Sequence, residues 1–229
     1  MLLLFGGGHL LAQDTGRRQL IDNSAVEYLQ SVGKQSVLYY GNEQVNYPHT
    51  SNHAYFKSEQ YVKARLSYSG VTYPDIPLRL DICRNELIVL SPESRNIVLF
   101  PENVDYLKLH DKHFIFLRPD NLPGCPSAGY YILLHSGKCR ILEKNSAKLN
   151  EKIEVNKLIR YFDFSTNYYL YKDGIYYQIK NENGLLKILN PYKKELKRFI
   201  STNRLKFKRD AEEFLTLTIK EYEKLSGSL

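Results

Sequence analysis

The sequence predicts an α+β protein, mainly antiparallel β, in which a meander of hairpins forms a curled or barrel-like sheet followed by a C-terminal helical pair. Three observations predict it. Tyr is abundant, with 19 residues against 10 Phe and no Trp, and Tyr suits half-buried strands because its ring packs while its hydroxyl stays wet. Between about residues 37 and 180, short apolar-polar alternations are separated by turn residues. After residue 190 the apolar spacing becomes helical. The 229 residues suit one domain, or one with a small appendage, and the 43% hydrophobic content is enough for a core.

The N-terminus reads as an export signal over residues 1–13. Leu2 to Ala12 is apolar and uncharged, ends on a small residue and is followed by the polar Asp14–Arg18. The basic stretch that normally fronts such a signal is absent, which points to a start upstream of Met1. The run is too short to span a bilayer, and no later segment is long enough, so no transmembrane span is expected. Asn23 or Ser24 then caps a helix through about Val32, ended by Gly33.

A β-rich domain is expected over residues 20–180. Ser36–Tyr40 and Glu43–Tyr47 flank the turn Gly41–Asn42, a first hairpin. Lys63–Tyr68 and Val71–Tyr73 flank Ser69–Gly70, a second. Ile76–Ile82 alternates cleanly, with Ile76, Leu78, Leu80 and Ile82 on one face and Arg79 and Asp81 on the other. Pro74 and Pro77 argue that this strand begins at an edge, because proline cannot donate to the ladder. Arg84–Asn85 turns into Glu86–Leu90. Ile97–Phe100, Val104–Leu109 and His113–Leu117 continue the series, with Asp111–Lys112 as a turn. Leu122–Pro126 is a loop by composition. Gly129–Leu134 and Cys139–Leu142 flank Ser136–Lys138. Leu149, Ile153 and Phe162 suggest a helix over 146–162. Tyr168–Lys172, Asp173–Gly174 and Ile175–Ile179 make the clearest hairpin, since Asp-Gly suits a turn whose two central residues need positive φ.

A helical pair is expected over 185–226. Asn190 caps, Pro191 takes the first helical position, and Tyr192, Leu196, Phe199 and Ile200 share a face. Asp210 to Glu213 has the shape of a capping box for a second helix, whose stripe includes Phe214, Leu215, Thr218, Ile219, Tyr222 and Leu225. The net charge of +7 concentrates here. Lys187 and eight further cations, Lys193, Lys194, Lys197, Arg198, Arg204, Lys206, Lys208 and Arg209, share their span with one acid, Glu195, which makes the span +8 and leaves −1 for the rest. Any electrostatic preference therefore belongs to this segment.

Several stretches resemble an uncharacterised group of secreted β-rich proteins of Bacteroidota: Leu38–Asn42, Tyr68–Ile82 with Glu86–Val89, and Lys193–Ile200, Asn203–Phe207 and Tyr222–Leu225. The resemblance covers most of the chain after the signal. It implies export to the periplasm or cell surface, and it implies neither an activity nor site residues. Leu80 stands where the group carries Tyr, a departure that bears on packing.

No catalytic, cofactor or metal set is evident. His49 and His53 are four apart, but Pro48 and the residues between them read as loop, and His110 and His113 flank a turn. Cys83, Cys125 and Cys139 are too few and too scattered for a disulfide framework or a metal site; at most one bridge can form. Gly124–Pro126 could present the Cys125 thiol, with His135 further on, but a packing residue is the simpler reading. Asp75 and Asp81, with Glu86 across the turn, read as the solvent face of an alternating strand rather than as a paired acid and base. Tyr192, Phe199 and Phe207 fall on the helix stripe and read as core.

The leading expectation is a non-catalytic secreted or periplasmic envelope protein that binds another protein or an envelope component, such as a glycan or lipid headgroup. One alternative is a hydrolase acting on glycan or peptide, which requires a cleft collecting Asp or Glu. Another is binding to an anionic surface, lipid or nucleic acid, through residues 187–209, with the eight cations from Lys193 to Arg209 as contacts. An exported protein makes nucleic acid the less accessible of these partners.

Overall fold

The structure, a computed structural model, describes residues 37–118 and 121–227. The expected signal and the helix at 23–32 lie outside the described residues. Residues 42–229 form one compact unit, with sheet and helices together. Its eleven strands form a single antiparallel sheet in the order β1-β5-β4-β3-β2-β6-β7-β8-β9-β10-β11. They are β1 (Asn42–Glu43), β2 (Val62–Tyr68), β3 (Val71–Asp81), β4 (Glu86–Leu90), β5 (Asn96–Val98), β6 (Val104–Leu109), β7 (Lys112–Leu117), β8 (Gly129–Ser136), β9 (Arg140–Glu154), β10 (Lys157–Lys172) and β11 (Ile175–Ile179). The helices are α1 (Glu182–Ile188), α2 (Lys193–Thr202) and α3 (Ala211–Gly227). The sheet is open, ending at β1 and β11, so the barrel-like alternative does not hold.

The order follows from one crossover. The chain meanders outward from β2 to β5, returns through a 3-10 turn at Pro101–Asn103, and meanders the other way from β6 to β11. From β5 to β6 is four strand spacings, roughly 19 Å along a flat sheet. The five residues between Val98 and Val104 include that tight turn and cannot run fully extended. The sheet between β5 and β6 is therefore coiled, so that its ends approach. Tyr68 ties the crossover down, its hydroxyl accepting from the Phe100 N–H and from Asn103 Nδ2.

Four hairpins close with two-residue loops whose residues both have positive φ: Ser69–Gly70, His110–Asp111, Val155–Asn156 and Asp173–Gly174. This turn matches the twist of the strands it joins. The first and last are as expected, the second lies one residue earlier than the expected Asp111–Lys112, and the third falls where a helix was expected. Pro74 and Pro77 lie inside β3 rather than before it, but β4 pairs only from Leu78 onward, so the proline half of β3 is one-sided. A register shift between Ala64 and Leu66 of β2 falls opposite Pro74.

Three expectations need correction. The hairpin at 36–47 does not form: Val37 and Leu38 are helical, and β1 pairs with β5. The chain from Gln44 onward instead finds its partners in distant strands. The Ser51 N–H donates to the Arg160 carbonyl, the Phe56 N–H to Leu80, and the Ile82 N–H to Ala54. The helix expected at 146–162 is instead the outer part of the β9–β10 hairpin, paired from Arg140↔Tyr171 to Glu154↔Lys157. The expected helical pair is present as α2 and α3, with the short α1, capped by Asn181 through the Gly184 N–H at 2.9 Å, before it; the correction is at the start of α2, which follows a cis Asn190–Pro191 bond and has Tyr192 rather than Asn190 at its cap. Asp210 caps α3 as expected, accepting from the Glu213 N–H at 2.9 Å.

The helices pack on one face of β8–β11. Ile141, Leu170 and Ile179 from the strands meet Leu186, Leu196, Ile200, Phe214 and Ile219. On the opposite face, Tyr131, Leu142 and Tyr176 form a second cluster with Leu117. The 122–126 loop closes on it, the Tyr176 N–H donating to the Pro123 carbonyl at 2.9 Å. Gly124, at φ +71, lets the loop come this near, since a Cβ there would stand 2.1 Å from the Tyr176 carbonyl oxygen. Among the described residues, no helix is long and apolar enough to cross a membrane. Cys83, Cys125 and Cys139 form no disulfide.

Candidate functional site

Two features stand out from this frame: a basic face on α2 and the loop after it, and a cleft where β9 leaves the sheet.

The basic face follows from helical geometry. At about 100° per residue, Lys193, Lys194, Lys197 and Arg198 cover an arc of roughly 140°, while Tyr192, Leu196, Phe199 and Ile200 cover the opposite side. Leu196 and Ile200 are accordingly buried. Lys194, Lys197 and Arg198 are exposed, and Lys193, at the edge of the arc, is half-buried. Arg204, Lys206, Lys208 and Arg209 are exposed on the loop that follows. Among the described residues, none of the eight lies within salt-bridge distance of a carboxylate. Their aromatic neighbours are core, as expected: Phe207 packs edge-on against Tyr168 and Phe214, and Tyr192 against Tyr222.

The cleft starts from a row of cross-strand partners that share one face: Leu66, Leu107, Phe114, Ile132, Glu143, Tyr168 and Ile179, from β2 across to β11. Glu143 is the one charged residue in this row. It is 5% exposed. Its Oε1 accepts from Asn145 Nδ2 at 2.6 Å, and Asn145 Oδ1 in turn accepts from the Thr166 hydroxyl at 3.0 Å. Its Oε2 is buried without a donor. Burial is the main cause that pushes the Glu143 carboxyl up, to about 6; hydrogen-bonding contact with Glu212 adds to the rise, while Asn145 and Lys112 oppose it. Glu212, in the first turn of α3, is ion-paired with Lys112 of β7. Burial first, then Glu143, Glu212 and Asp210, pushes the nearby Tyr168 hydroxyl up to about 12.

Around these groups lies a cavity of about 420 Å³, walled by Tyr55, Phe56, Ile82 and Phe164, with Asn52, His53, Lys57, Ser146 and Ser165 at its polar positions. The 52–57 segment reaches it because Phe56 packs edge-on against Phe114, ring centroids 5.2 Å apart, and because Asn52 bonds both backbone groups of Phe162.

Sequence reasoning missed Glu143, Glu212 and Lys112. No motif for chemistry includes them, and only the strand register reveals a carboxylate in an apolar row. The carboxylates it did consider sit elsewhere. Asp81 is not on a solvent face: it is fully buried, because the 44–56 segment covers β3. Its oxygens accept from the Tyr47 hydroxyl at 2.8 Å and from the Cys83 and Arg84 N–H groups, an arrangement that caps the β3–β4 turn. Burial and the bond to Asp81 hold the Tyr47 hydroxyl far above its ordinary range. His53 Nδ1 accepts from the Tyr55 N–H, and among the described residues no group of His, Cys, Asp or Glu could hold a metal. Cys139 is buried, its thiol pushed up to about 11 mainly by burial and then by Glu223. Glu223 accepts from the Cys139 N–H at 2.7 Å and meets His135 Nε2 at 2.9 Å, so the three pin α3 to the β8–β9 turn.

Comparison with protein-family models, with curated proteins and with solved structures finds no match.

Proposed function

We propose that the protein is a non-catalytic binding protein of the cell envelope, exported to the periplasm or cell surface, which holds an anionic lipid surface through the basic face of α2 and the loop after it. The observation that carries this reading is the display of the eight cations from Lys193 to Arg209 with no carboxylate partner among the described residues. A basic face that served only solubility would gain by interspersed acids. Near an anionic membrane each such cation contributes about 1 kcal/mol, and the attraction fades within a Debye length.

A hydrolase reading fits less well. The cleft it requires exists, but its two carboxyls are in hydrogen-bonding contact, closer than the roughly 5 Å or more that glycoside hydrolysis needs. Lys112 also occupies Glu212.

Flotation with vesicles of mixed anionic and zwitterionic lipid tests the proposal. The protein is expected to bind these at low salt and to ignore purely zwitterionic vesicles. Combining Lys193→Ala, Lys194→Ala, Lys197→Ala and Arg198→Ala should weaken binding about a hundredfold or more. Binding that is indifferent to salt or to these changes overturns the proposal. So does a preference for duplex DNA over the vesicles.

A further inference from the structure

We propose that the cleft beside Glu143 is a saccharide-binding site for a neutral sugar ring. The ligand class follows from what the cleft lacks and what it displays. Glu143 is almost wholly buried, and its Oε2 meets no donor. A buried acceptor in that state is costly, and a hydroxyl donor from a ligand relieves it. Asn145 donates to Oε1, not to Oε2. Glu212 is itself a carboxylate, held in an ion pair by Lys112.

The charges argue against an ionic ligand. Lys57 and Lys112 balance Glu143 and Glu212 around the cavity, so it offers neither a cation nor an anion a net attraction. The walls argue for a molecule with one apolar face. Phe164 is a large aromatic left 54% exposed at the cavity, although its register partner Ala147 is buried. Tyr55 and Phe56 already hold cations over their rings, Arg79 at 4.1 Å and Lys57 at 5.4 Å, which leaves Phe164 as the free platform. A pyranose presents C–H groups on a face and hydroxyl donors around its rim, which matches Phe164 beneath and Glu143 beside. The volume of about 420 Å³ lies within the range of small-ligand pockets. None of the eight cations from Lys193 to Arg209 lines the cavity, and the inference does not depend on the lipid proposal.

Amide chemical-shift titration of the isotope-labelled full chain tests it, with glucose, galactose, mannose and N-acetylglucosamine as probes and benzylamine as a cationic control. At least one sugar is expected to shift the amides of Asn145, Ser165 and Phe164 at millimolar concentration. Glu143→Gln and Phe164→Ala should each weaken it about tenfold, while the four α2 substitutions leave it unchanged. Phe164 is exposed, so its alanine variant keeps the fold even if the Glu143 variant does not. Short oligosaccharides of the same sugar separate the two sources of such a ring: tighter binding of the oligomer assigns a glycan chain, and equal binding a free sugar. Three results overturn the proposal: no sugar shifts these amides, benzylamine shifts them while sugars do not, or both variants bind sugar as the parent does.

Discussion

The β9–β10 hairpin is one continuous pairing with two unlike halves. In its inner half, Arg140–Glu143 pairs also with β8, and Tyr168–Lys172 also with β11. In its outer half, residues 144–167 have no neighbouring strand but each other. The same alternation runs through both. Ile141, Leu142 and Leu170 are completely buried in the inner half, whereas Ile153 and Leu158, direct partners near the tip, are 77% and 52% exposed. Pairing defines the strands, but the flanking strands and helices decide what the side chains are worth. Only the first part of the outer half is covered, where Asn52 holds Phe162 and the Ala147 N–H donates to the Ile82 carbonyl. Glu143 stands at the boundary, the last residue of β9 that pairs with β8.

The sharpest break of the comparison is in the inner half. Leu170 lies among the α3 and β11 side chains with no accessible surface. Leu170→Ala leaves a cavity that the packed helices cannot collapse, and is expected to cost about 2–5 kcal/mol in urea denaturation. A loss as small as a surface change would mean that the helices do not rest on these strands.

At the boundary the expected effect is smaller and depends on pH. The folded Glu143 carboxyl keeps its proton up to about 6, while an unfolded glutamate releases it near 4.3. Between these values the folded state binds more protons, so this group's stabilising contribution is complete below the lower value and lost as pH rises through the upper. Glu143→Gln removes that dependence. Its stability relative to the parent is expected to improve by on the order of 1–2 kcal/mol from pH 4 to pH 7. A difference that stays flat over that range would place the Glu143 proton elsewhere. Across the strand, Lys144 sits on the opposite face, pushed down to about 8 by burial, with Asn85 and the Tyr130 carbonyl as its acceptors.

The halves also differ in how far they could be read from sequence. The inner strands were legible because Asp173–Gly174 and Ser136–Lys138 are turn sequences between clean alternations. The outer half was read as helix because Leu149 and Ile153 are four apart, a spacing that satisfies period two as well as helical period. The deciding feature, a turn at Val155–Asn156, carries no Gly and places a β-branched residue at φ 45. Of the two candidate sites, the basic face was legible because it is written on one helix at local spacing. The cleft was not, because Lys112, Glu143 and Glu212 meet only through strand register and the docking of α3.

The smallest expected effect sharpens the contrast through its sign. Val155 is 95% exposed, so its methyl groups bury almost nothing in the folded chain. Its backbone sits in the left-handed region, which a β-branched side chain resists and Asn tolerates. Val155→Asn therefore removes strain without giving up packing, and is expected to raise stability by about 0.5 kcal/mol in urea denaturation. In the inner half, replacing an aliphatic residue with an amide would cost several times that, because the lost burial outweighs any backbone gain. A fall in stability for Val155→Asn would mean that the tip is covered in solution, by the chain itself or by a second copy. Repeating the denaturation at several protein concentrations separates those two, because only the second makes the midpoint depend on concentration.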